Sequence, residues 1–65
     1  MKITMKAARV NAGLTQVEAA RLIGIGASTL IGWEQKPDRI PGYRQKQIAD
    51  AYKMPIENIV FLSND

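Results

Sequence analysis

The stretch Leu14-Thr-Gln-Val-Glu-Ala-Ala-Arg-Leu-Ile-Gly-Ile-Gly-Ala-Ser-Thr-Leu-Ile-Gly-Trp-Glu34 decides the fold. It reads as a helix, a three-residue break and a second helix. Thr15 followed three residues later by Glu18 is a capping box, in which each side chain accepts a hydrogen bond from the other residue's backbone amide. Ala19, Ala20 and Ile23 then fall on one helical face. Gly24-Ile25-Gly26 interrupts the pattern, because glycine reaches the backbone angles of a tight turn. Leu30 and Trp33 restart an apolar face immediately afterwards. The spacing predicts helices over 16–23 and 27–35.

Working outward, Met5, Ala8 and Arg9 share a face of a first helix over 4–12, and Gly13 supplies its stop. Lys36-Pro-Asp-Arg-Ile-Pro-Gly42 is predicted as a loop, since two prolines and a glycine forbid a continuous helix. A fourth helix is expected over 43–53. Pro55 suits the first turn of a final short helix reaching Phe61. The tail Ser63-Asn-Asp is polar and expected to fray. No internal repeat, low-complexity stretch or strand-like alternation stands out. The expectation is a single all-α domain over 1–65. Its predicted core is Met5, Ala8, Leu14, Ala19, Ala20, Ile23, Ile25, Leu30, Trp33, Ile48, Ala51, Tyr52, Ile56 and Ile59. Small residues at Ala19 and Ala20 suit two helices that cross closely at a turn.

Composition narrows the function. Sixty-five residues make one domain, marginal in the surface it can bury. There is no cysteine and no histidine, so disulfides, zinc–thiolate sites and imidazole base chemistry are all excluded. Six acidic residues and no glycine-rich phosphate loop leave no catalytic constellation, and an enzyme is not expected. Nine basic residues give a net charge of +3, compatible with nucleic acid without requiring it. No apolar run approaches a membrane span, and the Met1-Lys-Ile-Thr start lacks the apolar stretch of a signal peptide. A cytoplasmic location is the default expectation.

Two short helices joined by a glycine-containing turn form the unit that lays its second helix in the major groove of DNA. The residues here resemble the phage repressor and Cro group of helix-turn-helix proteins, the xenobiotic-response-element family of bacterial and phage regulators. The matching residues are Gln16 at the start of the second helix, Ala20 inside it, Gly24 and Ile25 in the turn, Leu30 in the recognition helix, and Trp33-Glu34 at its end. Arg9 and the Gly13-Leu14 step match outside the motif, as does the apolar pattern Ile48, Ala49, Tyr52, Met54, Ile56 and Ile59. The resemblance covers nearly the whole chain. It implies a compact five-helix lambda-repressor-like domain. It also implies a sequence-specific DNA-binding transcriptional regulator of the repressor or Cro type, acting as a homodimer on a palindromic operator. No cofactor, metal, small-molecule ligand or membrane partner is expected. The family often carries leucine where Ala19 stands.

The resemblance assigns roles residue by residue. Gln16 would bridge a DNA phosphate and a base; the plainer alternative is an exposed polar residue at a helix start. Thr15 is first a cap, with a hydroxyl contact to phosphate compatible with that. Gly26, Ala27, Ser28, Thr29, Ile31 and Gly32 would line the DNA-facing side of the recognition helix. Where relatives carry glutamine, arginine, lysine or asparagine, this face has none, so bidentate forks on guanine or adenine cannot come from it. A serine hydroxyl and apolar contact with thymine methyls are what it offers. The alternative is that this face reads no DNA and Ile31 marks a protein interface. Arg9 and Glu34 occupy the positions of the family's structural ion pair. Lys36 and Arg39, with Arg44 nearby, are phosphate candidates. Ile59, Val60, Phe61 and Leu62 crowd the C-terminus more than one helix face can bury, which suggests a dimer patch. The competing functions are a protein-interaction module that keeps the fold without DNA readout, and an antitoxin-like regulator.

Overall fold

A computed structural model of the chain describes residues 2–61. The order of elements is β1 (Ile3–Thr4), α1 (Met5–Asn11), α2 (Gln16–Ile23), α3 (Ala27–Gln35), a 3-10 turn (Pro37–Arg39), α4 (Gly42–Ala51), a second 3-10 turn (Ile56–Asn58) and β2 (Ile59–Val60). Each boundary has a local cause. Thr4 caps α1, its hydroxyl accepting the Ala7 amide at 3.1 Å. Gly13 adopts φ +75° beyond the helix end. Gly13 N then donates to Val10 O and Leu14 N to Arg9 O, which satisfies the last carbonyls of α1. The expected capping box is present at α2. Thr15 Oγ1 accepts from Glu18 N at 3.1 Å, and Glu18 Oε1 accepts from Thr15 N at 2.9 Å. The Thr15 amide first, and then the Thr15 hydroxyl beside the carboxylate, hold the Glu18 carboxyl below its ordinary value. Gly24, at φ +88°, closes α2, with its own amide and that of Ile25 both donating to Ala20 O.

The core sits where α2 meets α3 and α4. Met5, Ala8, Ala19, Ala20, Leu30, Ile48, Ala49 and Tyr52 are buried there. Ala19 and Ala20 let the helix axes approach closely, since a larger residue at either would hold them apart. Arg44 adds a polar tie between layers, its Nη1 donating to the free Ile23 carbonyl at the end of α2 at 3.0 Å.

Five helices are not what the chain forms. Four α-helices and two 3-10 turns stand in their place among the described residues. The helix expected from Pro55 to Phe61 is replaced by the turn 56–58 and by β2. β2 pairs in parallel with β1, Ile3 opposite Ile59 and Thr4 opposite Val60. Branched and aromatic side chains at Ile59, Val60 and Phe61 suit an extended chain, and the pairing ties the start of the chain to its end. The absence of strand-like alternation in the sequence reflects strands only two residues long.

This pairing also changes which residues are inside. Ile59 and Phe61 turn inward, 5% and 9% exposed, Val60 between them is half-buried, and Ile56 is exposed. The expectation of an exposed apolar C-terminal patch is therefore corrected at Ile59 and Phe61, because period-two alternation buries what one helix face could not. Leu62 lies outside the described residues. Ile40, Ala49 and Phe61 join the core, whereas Leu14, Ile25, Trp33 and Ala51 pack against it half-buried. Helices one and four are shorter than expected, Met5–Asn11 and Gly42–Ala51.

Tyr52 is 3% exposed, and its hydroxyl is buried with no hydrogen-bond partner among the described residues. Burial first, and then the charge of Glu34, push its phenol up to about 12 against the partial offset of Arg9. A folded pKa above the unfolded value of 10.0 places a stability contribution that is complete below pH 10 and lost as pH rises toward about 12. Tyr52→Phe removes the ionisable hydroxyl and leaves the ring. The variant is expected to be as stable as the parent or more so near pH 7, and to lose less stability between pH 10 and 12. Urea unfolding at pH 7, 10 and 11.5 measures both effects.

Candidate nucleic-acid interface

The site is assembled from the start of α2, the outer side of α3 and the loop behind α3. On α3, Leu30 is wholly buried, which turns the opposite side of the helix to solvent. Gly26, Ser28 and Thr29 are exposed, Ile31 is 39% exposed, and Ala27 and Gly32 are half-buried. A methyl group added at Gly26 or Gly32 would meet nothing within 4 Å, so no other part of the domain covers this side. Gly26 is the N-cap, and no side chain caps the helix. The first amides of α3 are therefore left to an outside acceptor, and the helix dipole favours an anion there. Taken together, the surface is small, open and nearly without long side chains.

One buried network sets the position of this surface. Arg9 of α1 donates through Nε to Glu34 Oε2 of α3 at 2.6 Å and through Nη2 to Oε1 at 3.4 Å. Its Nη1 donates to the Leu14 carbonyl at 2.9 Å, in the segment leading into α2. Both side chains are almost inaccessible, 9% and 5% exposed. Gln16 joins the same carboxylate, Nε2 donating to Glu34 Oε1 at 3.1 Å. Thus the expected Arg9–Glu34 pair is formed, and Gln16, read from the sequence as a separate candidate, joins it in one cluster. Sequence spacing carries no signal for the Gln16 bond, because it joins two helices across 18 residues.

The remaining candidates fall as follows. Thr15 is exposed, with its hydroxyl engaged in the cap. Lys36 and Arg39 are exposed on the loop and its 3-10 turn, and neither has an ion-pair partner among the described residues. Arg44 differs from them. Its guanidinium lies 5.3 Å from the Tyr43 ring centroid and bonds Ile23 O and Gln47 Oε1, so it is a tie within the domain. Tyr43, not singled out in the sequence, is 68% exposed at the start of α4, just beyond the basic loop. Away from this surface, a groove of about 690 Å³ runs between the ends of α1 and α4, lined by Leu14, Leu22, Ala51 and Met54 among others. Among the described residues there is no cluster of potential metal ligands, and no helix is long and apolar enough to cross a membrane.

A helix-turn-helix family model matches residues 5–59, and the chain belongs to that family, the Cro/C1 type. The family is one of DNA-binding regulatory domains, not of enzymes. Comparison with curated proteins and with solved structures returned no match.

Removing one partner of a buried ion pair strands the other charge, at a cost of about 3–5 kcal/mol. Arg9→Ala and Glu34→Ala should each destabilise on that scale. Because each single change already abolishes the pair, the double variant should be less destabilised than the sum, with a coupling energy of about 1–3 kcal/mol. Additive losses in urea unfolding would show that the two charges act independently.

Proposed function

We propose that this chain is a sequence-specific DNA-binding transcriptional regulator of the repressor or Cro type, with α3 inserted in the major groove. The observation that carries the reading is the open outer side of α3, uncovered by the rest of the domain and bordered by Gln16 and a basic loop. Small residues let the helix backbone come close to the base edges. Ala27 and Ile31 offer apolar contact to thymine methyls, and the Ser28 hydroxyl serves either base. Thr29, the uncapped amides after Gly26, Lys36 and Arg39 hold phosphates, which fixes register without reading sequence. Thr15 contributes by setting the start of α2. Specificity beyond these contacts comes from DNA shape.

A homodimer on a palindromic operator completes the proposal. A nine-residue helix is about 13 Å long and spans about four base pairs at 3.4 Å each, too few to define an operator alone. A two-fold pair would present its recognition helices about 34 Å apart on one side of the duplex. Ile59 and Phe61 are occupied inside the protomer, so the contact between copies draws on other residues.

The exposed Ile31 supports a second reading, a protein-interaction module on the same fold. Selection of bound duplexes from a random pool separates the two: a palindromic consensus supports the regulator, and no enrichment supports the module. With a consensus in hand, Lys36→Ala should weaken binding to all sequences alike and lower the salt slope by about one. Uracil in place of thymine removes only the methyl group. It should lower affinity at one or more half-site positions, and unchanged affinity at every position would refute methyl reading.

A further inference from the structure

Glu34 serves two partners at once. Its Oε2 takes Arg9 Nε, and its Oε1 takes Arg9 Nη2 and Gln16 Nε2. An ionised carboxylate only accepts hydrogen bonds, so the glutamine amide must turn its NH2 side inward. One N–H is thereby spent. The carbonyl oxygen of Gln16 makes no bond within the described residues and is not among the wholly buried unpartnered atoms, so it keeps some access to solvent on a half-buried residue. Without Glu34, a glutamine at a helix start would present either end of its amide. The recognition side of α3 offers no polar fork of its own, so the orientation of this one amide matters more than it would in a polar-faced reader.

We infer that Glu34 is a positioning residue for sequence readout, holding Gln16 so that its carbonyl oxygen faces the duplex as an acceptor. The inference rests on the DNA-binding reading above. A phosphate oxygen accepts and does not donate, so it is no partner for that carbonyl. The major-groove groups that do donate are the amino groups of cytosine and adenine. Gln16 therefore selects a cytosine or adenine at one half-site position, and its second N–H is left for a neighbouring acceptor. Arg9 takes part by holding both oxygens of the Glu34 carboxylate in place through its Nε and Nη2.

The test compares selected operators of the parent, Gln16→Met, Glu34→Gln and the double variant. Gln16→Met keeps the side-chain length and removes both polar groups from a half-buried surface position. The parent should prefer cytosine or adenine at one position of a half-site. Gln16→Met should relax that preference about three- to tenfold, the weight of one hydrogen bond, and leave the other positions unchanged. Glu34→Gln should relax the same position, and the double variant should be no more relaxed than Gln16→Met, because Glu34 acts through Gln16. Uniform weakening on all sequences by Gln16→Met, or an intact preference in Glu34→Gln, overturns the inference.

If Glu34→Gln does not fold, the side-chain amide resonances of Gln16 in the parent decide. One proton shifted downfield in the free protein and retained in the complex supports the positioning role. Solvent-like shifts in either state overturn it. Failure to select any consensus would refute the DNA-binding reading together with this one. A clear consensus that Gln16→Met leaves unchanged would refute this one alone.

Discussion

The buried ion pair between Arg9 and Glu34 is the constraint on which the presentation of α3 depends. It crosses from the first helix to the last turn of the third, and the same guanidinium reaches the Leu14 carbonyl ahead of α2. Three segments are thereby held by two side chains. Such a pair adds little net stability compared with a well-packed apolar pair, since two charges must leave water. What it supplies is geometry. Arg9 offers a planar fork with several donors, and Glu34 accepts from it along two edges. An apolar replacement would lack these directional contacts between α1, α3 and the segment ahead of α2.

The rest of the fold works within tight limits. A chain of 65 residues with no cysteine has neither disulfides nor zinc–thiolate ligands to staple a small core. It compensates with close approach and closure. Ala19 and Ala20 bring α2 against α3 and α4, and the Arg44 side chain ties α4 to the end of α2. The two-residue ladder between β1 and β2 then joins residues 3–4 to residues 59–60. That closure buries Ile59 and Phe61 and adds them to a core that would otherwise be open at the bottom of α1.

Residues 15–35 carry their structure locally, which is why it was legible. A capping box, a left-handed glycine and a 3.6-residue apolar repeat each act within a few positions, and the bounds Gln16–Ile23 and Ala27–Gln35 follow from them. The C-terminal segment does not. Its extended form depends on a partner strand more than fifty positions away, and no local signal separates that from a short helix after Pro55. Ile40 was hidden for a similar reason, as a lone apolar residue in a loop with no repeat around it. At the candidate site, residue types and positions could be read, including the missing polar forks on α3. The bond that orients Gln16 could not, because it exists only once two helices have packed.

The central claim is that the uncovered side of α3 and the start of α2 meet DNA. Titration of the nitrogen-labelled protein with a selected duplex, followed through backbone amide shifts, tests it most directly. The largest shifts should fall on Thr15, Gln16, Gly26 through Gly32, Lys36 and Arg39. The core around Met5 and Ile48 and the groove at Leu22, Ala51 and Met54 should stay unperturbed. Shifts concentrated in that groove, or none on α3, would contradict the claim.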